Sequence, residues 1–250
     1  MIWLKGAAGR GEHVQAMGAP ANRLIEGMIA NLPMFRLAER RHVAELARHA
    51  RTLQVARGQF VCRRGERLEG FFAVAYGMVK LALRGEGGDE KVLRLAGPGE
   101  TFGEAVMYLD RPGRVDGVAL ADSLLVFMPA TPVLALLAHD PGFARGLLAS
   151  ISLRMYGLVS DLESESLHQG LQRVATYLGS LAEAGAPAPP VVRLPATKTV
   201  IAARLGVTKE TFSRLLRELG AMGLIQVRKR EITLLDASRL GEVAHGHAPA

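Results

Sequence analysis

The sequence predicts an α+β chain built as an N-terminal double-stranded β-helix (jelly-roll) sensor domain, a long dimerisation helix and a C-terminal winged helix-turn-helix. Three observations carry this. Between Thr52 and Met128, short β-favouring runs alternate with glycines, the rhythm of an all-β roll. From Asp140 to His168, apolar residues recur at spacings of three to seven, near a heptad seam. From Thr197 to Leu219 the chain reads TKTVIAARLGVTKETFSRLLREL, two short helices around a tight turn.

Residues 1–21 are rich in Gly and Ala without a period and read as a mobile arm. Residues 22–138 are assigned to the roll, 139–168 to the long helix, 169–240 to the winged domain and 241–250 to a frayed tail. Leu32 to about Arg48 is expected to be helical, with Phe35, Val43, Leu46 and Ala47 on its apolar side, Pro33 in the first turn and His42 and His49 in solvent. The strands of the roll are expected at Phe60–Cys62, Phe71–Val74, Val79–Leu83, Val92–Leu95 and Leu124–Phe127. A roll of this size encloses a pocket. Its candidate residues are Phe102, Gly103 and Glu104, with Arg114 ten residues on. Gly103 lets a ligand approach the backbone, Glu104 supplies an acceptor, and Arg114 offers a guanidinium fork to a phosphate.

In the long helix, Leu147, Ile151, Leu158 and Leu162 are the expected dimer seam. Gly146 and Gly157 lower helix propensity there, so packing must compensate. Leu171–Ala184 is a further helix, and Val191–Leu194 a short strand. In the helix-turn-helix, Leu205-Gly206-Val207 is the break and Thr208 caps the second helix. Phe212, Leu215, Leu216 and Leu219 form its buried stripe, leaving Lys209, Glu210, Ser213, Arg214 and Arg217 outward. Leu224–Val227 and Glu231–Leu235 then form a hairpin across Arg228-Lys229-Arg230, a wing with a basic tip.

The formal net charge is +7 and the pI about 10.0. Ten Lys or Arg against four Asp or Glu lie between Gly170 and Leu235, a local excess that suits nucleic acid. Cys62 is the single cysteine, which excludes an intrachain disulfide and a cysteine-held iron–sulfur cluster and fits a reducing, cytoplasmic setting. The apolar stretch Val118–Ala138 contains Asp122, Pro129 and Pro132 and reads as a strand and a helix start, not a membrane span. No histidine falls between Thr52 and Met128, which argues against a cupin-type metalloenzyme, since such a site needs two or three. No catalytic residue, no metal site and no enzymatic activity are assigned.

The order of parts, with Phe102-Gly103-Glu104 in the roll and Glu210-Thr211-Phe212-Ser213-Arg214 in the second helix, resembles the CRP/FNR family of bacterial transcription regulators across about residues 30–240. Arg173-Val174, Tyr177-Leu178 and Leu194-Pro195 look most like the nitric-oxide-responsive Dnr-type branch. The resemblance implies a homodimer with paired long helices, bound to double-stranded DNA and working with RNA polymerase. It puts Glu210, Ser213 and Arg214 on the bases of a TTGA-type half-site, chemistry that suits cytosine N4, thymine or a phosphate, and guanine O6/N7 respectively. Thr197, Thr208, Lys209, Arg217, Arg228 and Lys229 would meet the DNA backbone. It also implies an effector: haem and nitric oxide, another small molecule, or a cyclic nucleotide held by Glu104 and Arg114. Against the last, Val115 replaces the family's hydroxyl and Asp116 adds a negative charge where a phosphate would sit. An axial haem ligand would be Cys62, a Met or Tyr, or a His from another element.

Overall fold

The structure is a computed structural model that describes residues 19–85, 89–167, 170–182 and 188–246. Most of the expected arm, together with His168 and the last residues of the tail, lies outside these. Eight strands build the roll: β1 (Arg51–Val55), β2 (Phe60–Cys62), β3 (Gly70–Tyr76), β4 (Val79–Arg84), β5 (Glu90–Ala96), β6 (Thr101–Phe102), β7 (Asp116–Ala119) and β8 (Ser123–Pro129). They form two four-stranded antiparallel sheets, ordered β1-β8-β3-β6 and β2-β7-β4-β5. β3 is buried on both faces, so its sequence is a continuous apolar run without alternation. Phe72 and Val74 point between the sheets, where Phe72 stacks on Phe102 at 5.2 Å. Phe71 and Ala73 point the other way, into a layer of helices. β1, β6 and β7 were not expected from the sequence. β6 is two residues long, and β7 contains Gly117, where a Cβ would lie 2.8 Å from the Cys62 sulfur.

The helical layer comprises α1 (Ala19–Ala30), a 3₁₀ turn at Pro33–Phe35, α2 (Arg40–His49), α4 (Ala130–His139) and the start of α5 (Pro141–Leu167). The single helix expected from Leu32 to Arg48 is therefore two pieces, the first a tight turn opened by Pro33. The helix α1 begins within the segment assigned to the arm, and it buries Ile25 and Ile29. Phe35, Val43, Leu46 and Ala47 are all buried, as their spacing requires.

The turn from α4 into α5 is fixed by Asp140, which is 1% exposed. Its Oδ1 accepts from the Phe143 backbone N–H at 2.9 Å, capping α5. Its Oδ2 accepts from the Glu39 N–H at 2.8 Å and faces His42 Nδ1 at 2.9 Å. His42 is thus a partner of a buried carboxylate, not a solvated side chain. Burial works to raise the Asp140 pKa, but hydrogen bonds from His42, Phe143 and Glu39 outweigh it and hold the carboxyl at about 2. The folded value lies below the ordinary 3.8, so this contribution is fully present above about pH 4 and disappears as pH falls through about 2. Asp140→Asn is expected to lower stability at pH 7 by about 2 kcal/mol and to flatten the acid limb of a denaturation profile between about pH 4 and 2.

The reading head follows: α6 (Gly170–Ser180), β9 (Val191–Arg193), α7 (Lys198–Arg204), α8 (Lys209–Ala221), β10 (Ile225–Arg228), β11 (Glu231–Leu234) and α9 (Ala237–Ala244). Its three-stranded sheet runs β10-β11-β9, with Ile225 opposite Leu234 and Ile232 opposite Val192. The segment assigned to a frayed tail is in part structural. α9 extends to Ala244, packs on α6 and buries Leu240 and Val243 in the core of the head.

Candidate DNA-reading head and effector cavity

Two helices of the head present the candidate DNA residues. The Thr197 Oγ1 accepts from the Val200 N–H and caps α7; the Thr208 Oγ1 accepts from the Thr211 N–H at 3.1 Å and caps α8. Gly206 takes φ +66° in the turn between them, a left-handed conformation that favours glycine. Phe212, Leu215, Leu216 and Leu219 are buried against α6 and α7. That rotation leaves Lys209, Glu210, Arg214 and Arg217 exposed and Ser213 half-buried, so the predicted reading face is formed as a continuous outer surface of one helix. In the wing, Lys229 adopts φ +58° at the tip, with Arg228 and Lys229 exposed.

Not every cation of the basic stretch serves that face. Arg230 turns inward, donating from Nε and Nη2 to the Leu194 carbonyl at 3.2 and 2.8 Å. Arg204 leaves the head altogether and donates to the Leu93 carbonyl of β5 at 3.1 Å. Sequence counting cannot separate these structural guanidiniums from the outward ones, because it carries no direction.

In the roll, Phe102, Gly103, Glu104 and Arg114 all line one cavity of about 700 Å³. Gly103 has a structural reason besides the expected one. It takes φ +93° at the start of α3 (Glu104–Leu109), and a Cβ there would meet Leu68 at 2.9 Å and Phe71 at 3.6 Å. The glycine is required by the turn and by the core beneath it. Asp116 does not itself line the cavity but stands directly behind its wall: its Oδ1 accepts from the backbone N–H of the lining residue Arg64 at 2.9 Å, its Oδ2 faces Arg84 at 4.0 Å, and its charge is felt by Cys62 in the lining.

The cavity is strongly cationic. Arg63, Arg64, Arg94, Arg111, Arg114 and Arg154 line it against two carboxylates, Glu66 and Glu104. Glu104 is 5% exposed and receives both Nη atoms of Arg154 at 2.8 Å, a bidentate pair. Arg154 also reaches Thr101 Oγ1, and Arg94 donates to the Thr101 carbonyl. The Arg94 pKa is pushed below its ordinary value, chiefly by burial and then by the charge of Arg154. Cys62, the one sulfur in the lining, has its thiol pushed up to about 12 by burial above all, partly offset by a hydrogen bond from the Gly117 backbone.

Arg154 and Arg94 escaped the sequence reading. One signal existed for Arg154: it falls seven residues after Leu147, hence on the same helix face, which is the face turned to the roll. Leu147 itself proved to belong to that face. It is 5% exposed and packs with Phe143 in the helical layer of its own chain, so it is not a seam residue. Its neighbour Leu148 is 64% exposed, and Ile151, Leu158 and Leu162 are 46%, 54% and 63% exposed.

Comparisons with known proteins agree with this geometry. Residues 52–140 match the cyclic nucleotide-binding domain family, and residues 172–243 match the Crp-like helix-turn-helix domain family. The cyclic AMP receptor protein of Thermus thermophilus is 29% identical over 191 residues, covering 76% of this chain and 87% of that protein. A putative cyclic nucleotide binding protein from Ruegeria pomeroyi superposes with a TM-score of 0.60 at 28% identity, covering 90% of this chain and 99% of the other. FixK2 from Bradyrhizobium japonicum shares the fold, with a TM-score of 0.69 at 21% identity and coverage of 80% and 98%. The chain thus joins a roll of the cyclic nucleotide-binding domain family, over residues 52–140, through a long helix to a Crp-like helix-turn-helix domain, over residues 172–243.

Proposed function

We propose that the chain works as a homodimer that reads a TTGA-type palindrome when an anionic effector of nucleotide class occupies the roll. The observation that carries the effector reading is the cavity lining: six arginines against two glutamates give it a cationic excess that favours an anion, even with Arg154 paired to Glu104 and the Arg63 guanidinium over Phe60, and Glu104 can additionally accept from a hydroxyl. Asp116, bonded to the Arg64 backbone N–H behind the wall, is outnumbered by the lining arginines, which weakens the electrostatic objection to a cyclic nucleotide. Haem, and with it nitric-oxide sensing, finds less support, because the lining's single sulfur is a thiol held protonated by burial and no histidine lines the cavity. The Dnr-type branch therefore rests on the motif resemblance in the head alone. Calorimetry with cyclic AMP, cyclic GMP and haem tests this directly. Tight haem binding with a Soret band, and no heat from either nucleotide, would sink the proposal.

The homodimer is supported by the outer face of α5. Leu148, Ile151, Met155, Leu158 and Leu162 follow one another at spacings of three, four, three and four, and each is between 46% and 64% exposed. Such a stripe on a 27-residue helix is the pattern of a two-stranded seam. Two heads held by one such seam meet the two halves of a palindrome. Glu210, Ser213 and Arg214 then read bases, while Thr197, Thr208, Lys209, Arg217, Arg228 and Lys229 hold phosphates. RNA polymerase is the further partner this role implies, and the cytoplasm its setting; no helix among the described residues is long and apolar enough to cross a membrane.

Binding to TTGA-N6-TCAA against a scrambled duplex at fixed salt tests the reading face. Arg214→Ala is expected to lose about 1–3 kcal/mol of discrimination, and Lys209→Ala to weaken both duplexes alike with a shallower salt dependence. Equal affinity of the unaltered protein for both duplexes would rule out this sequence-specific role.

A further inference from the structure

The roll and the reading head touch directly, and the contact sits on the back of the effector cavity. Strand β5 presents opposite sides to the two. The Arg94 side chain enters the cavity. The carbonyl of Leu93 accepts from Arg204 Nη1 at 3.1 Å, and the side chain of Leu95 packs onto the hydrophobic core of the head. Helix α5 also reaches both, from a single face. Arg154 enters the cavity and binds Glu104. Asp161, seven residues on and so on the same helix face, places Oδ2 3.6 Å from Arg204 Nη2.

One side chain of the head thus holds both cavity walls that carry a partly buried guanidinium. Arg204 closes α7, the helix that carries the turn leading to α8. Its planar fork has fixed donor directions. Contact with a strand carbonyl and a helix carboxylate survives only while β5 and α5 keep one relative position. An anion in the cavity draws on Arg94 and Arg154, which stand on those same two elements.

We propose that Arg204 is the positioning residue that couples the cavity to the reading head within one chain, by sensing the spacing of β5 and α5. The inference rests on reading the cavity as the effector site. Its test needs no ligand, so a cavity that bound no nucleotide would count against the effector reading and not against this coupling.

The measurement is amide hydrogen exchange on the full chain. Glu104→Gln removes the charge that holds Arg154. Exchange in β5 and in α7 is expected to quicken about tenfold or more, although Glu104 lies in the cavity. In an Arg204→Gln background α7 is already fast, and adding Glu104→Gln changes it no further. Asp161→Asn releases one arm of the contact without altering the head, and should give the same loss of response at α7. Arg204→Lys, which keeps the charge but loses the planar fork, should restore only part of it; the readout that a merely structural role would not move is the loss, in these backgrounds, of the α7 response to Glu104→Gln. Exchange changes confined to residues 101–109 in Glu104→Gln, or additive effects of Glu104→Gln and Asp161→Asn at α7, would overturn the coupling.

Discussion

Gly146→Ala is expected to destabilise the roll by about 3 kcal/mol, a loss of about 10 °C in its melting temperature. The reason is a close approach of two backbones. A Cβ at Gly146 would sit 2.2 Å from the Met34 carbonyl oxygen and 3.0 Å from its carbon. One turn earlier, a Cβ at Gly142 would sit 1.9 Å from the Leu37 carbonyl oxygen. The two glycines therefore form a flat on α5 against which the 3₁₀ turn and the link from it to α2 lie. A backbone carbonyl cannot rotate aside as a side chain can, so α5 must lift. Lifting parts Phe143 from Phe35, whose rings stack at 4.8 Å, and loosens buried Leu147. The helix gains about 1 kcal/mol from losing a glycine, which is too little to offset this. Gly157→Ala is the control. No heavy atom lies within 4 Å of a Cβ there, so that substitution should raise stability by up to about 1 kcal/mol. Calorimetric melting of both variants beside the unaltered protein checks the pair, and equal effects at the two sites would refute the close-approach account.

Leu158→Glu is expected to convert the dimer into monomers and to lower palindrome affinity by about 100-fold or more. Leu158 is 54% exposed in one chain and stands in the middle of the Leu148–Leu162 stripe. Across a two-fold seam the substitution puts two carboxylates face to face in an apolar contact, and desolvation and repulsion then act together. Separate heads lose the effective concentration that the seam provides. Sedimentation gives the mass, and binding to a full palindrome and to one half-site gives the two affinities. The half-site affinity should be unchanged, because the substituted residue lies far from α8 in sequence and on the outer face of α5. Leu147→Ala should behave differently, melting the roll at lower temperature while leaving the dimer in place. A Leu158→Glu protein that stayed dimeric would show that another surface joins the copies.

The head was legible because local rules decide it. Thr208 caps a helix and Gly206 turns a corner wherever they occur in that order, and the stripe from Phe212 to Leu219 has a single rotation that buries it. Once that rotation is set, Glu210 and Arg214 must face outward. The strands of the roll from Phe60 onward were legible for the same reason, with Gly65 and Gly77 marking the turns at φ +88° and +89°. β7 was not, since Asp116-Gly117 has poor strand propensity and is held by its partners β2 and β4.

The effector cavity was half legible. Phe102, Gly103, Glu104 and Arg114 lie within one stretch of chain, and the structure brings them to one cavity. Arg94 and Arg154 come from a strand before and a helix forty residues after, and local spacing cannot bring them there. The same limit explains why local spacing could not say whether Asp116, two residues from Arg114, lines the cavity or stands behind its wall.

By itself, the sequence determined the order of the parts, the face of the reading helix and the residues of one cavity wall. Each follows from interactions between residues close in the chain, whose geometry backbone periodicity sets. Tertiary structure alone decided which arginines are structural, which leucine the roll covers and where the head rests on the roll. Leu147 and Leu148 differ by one step of 100° around α5, and only the position of the roll says which of them is already covered. Arg204 and Arg214 are the same residue type in the same basic stretch. One is taken by a carbonyl more than a hundred residues away and the other is left exposed on the outer face of α8, because direction in space, not composition, decides what a charge can reach.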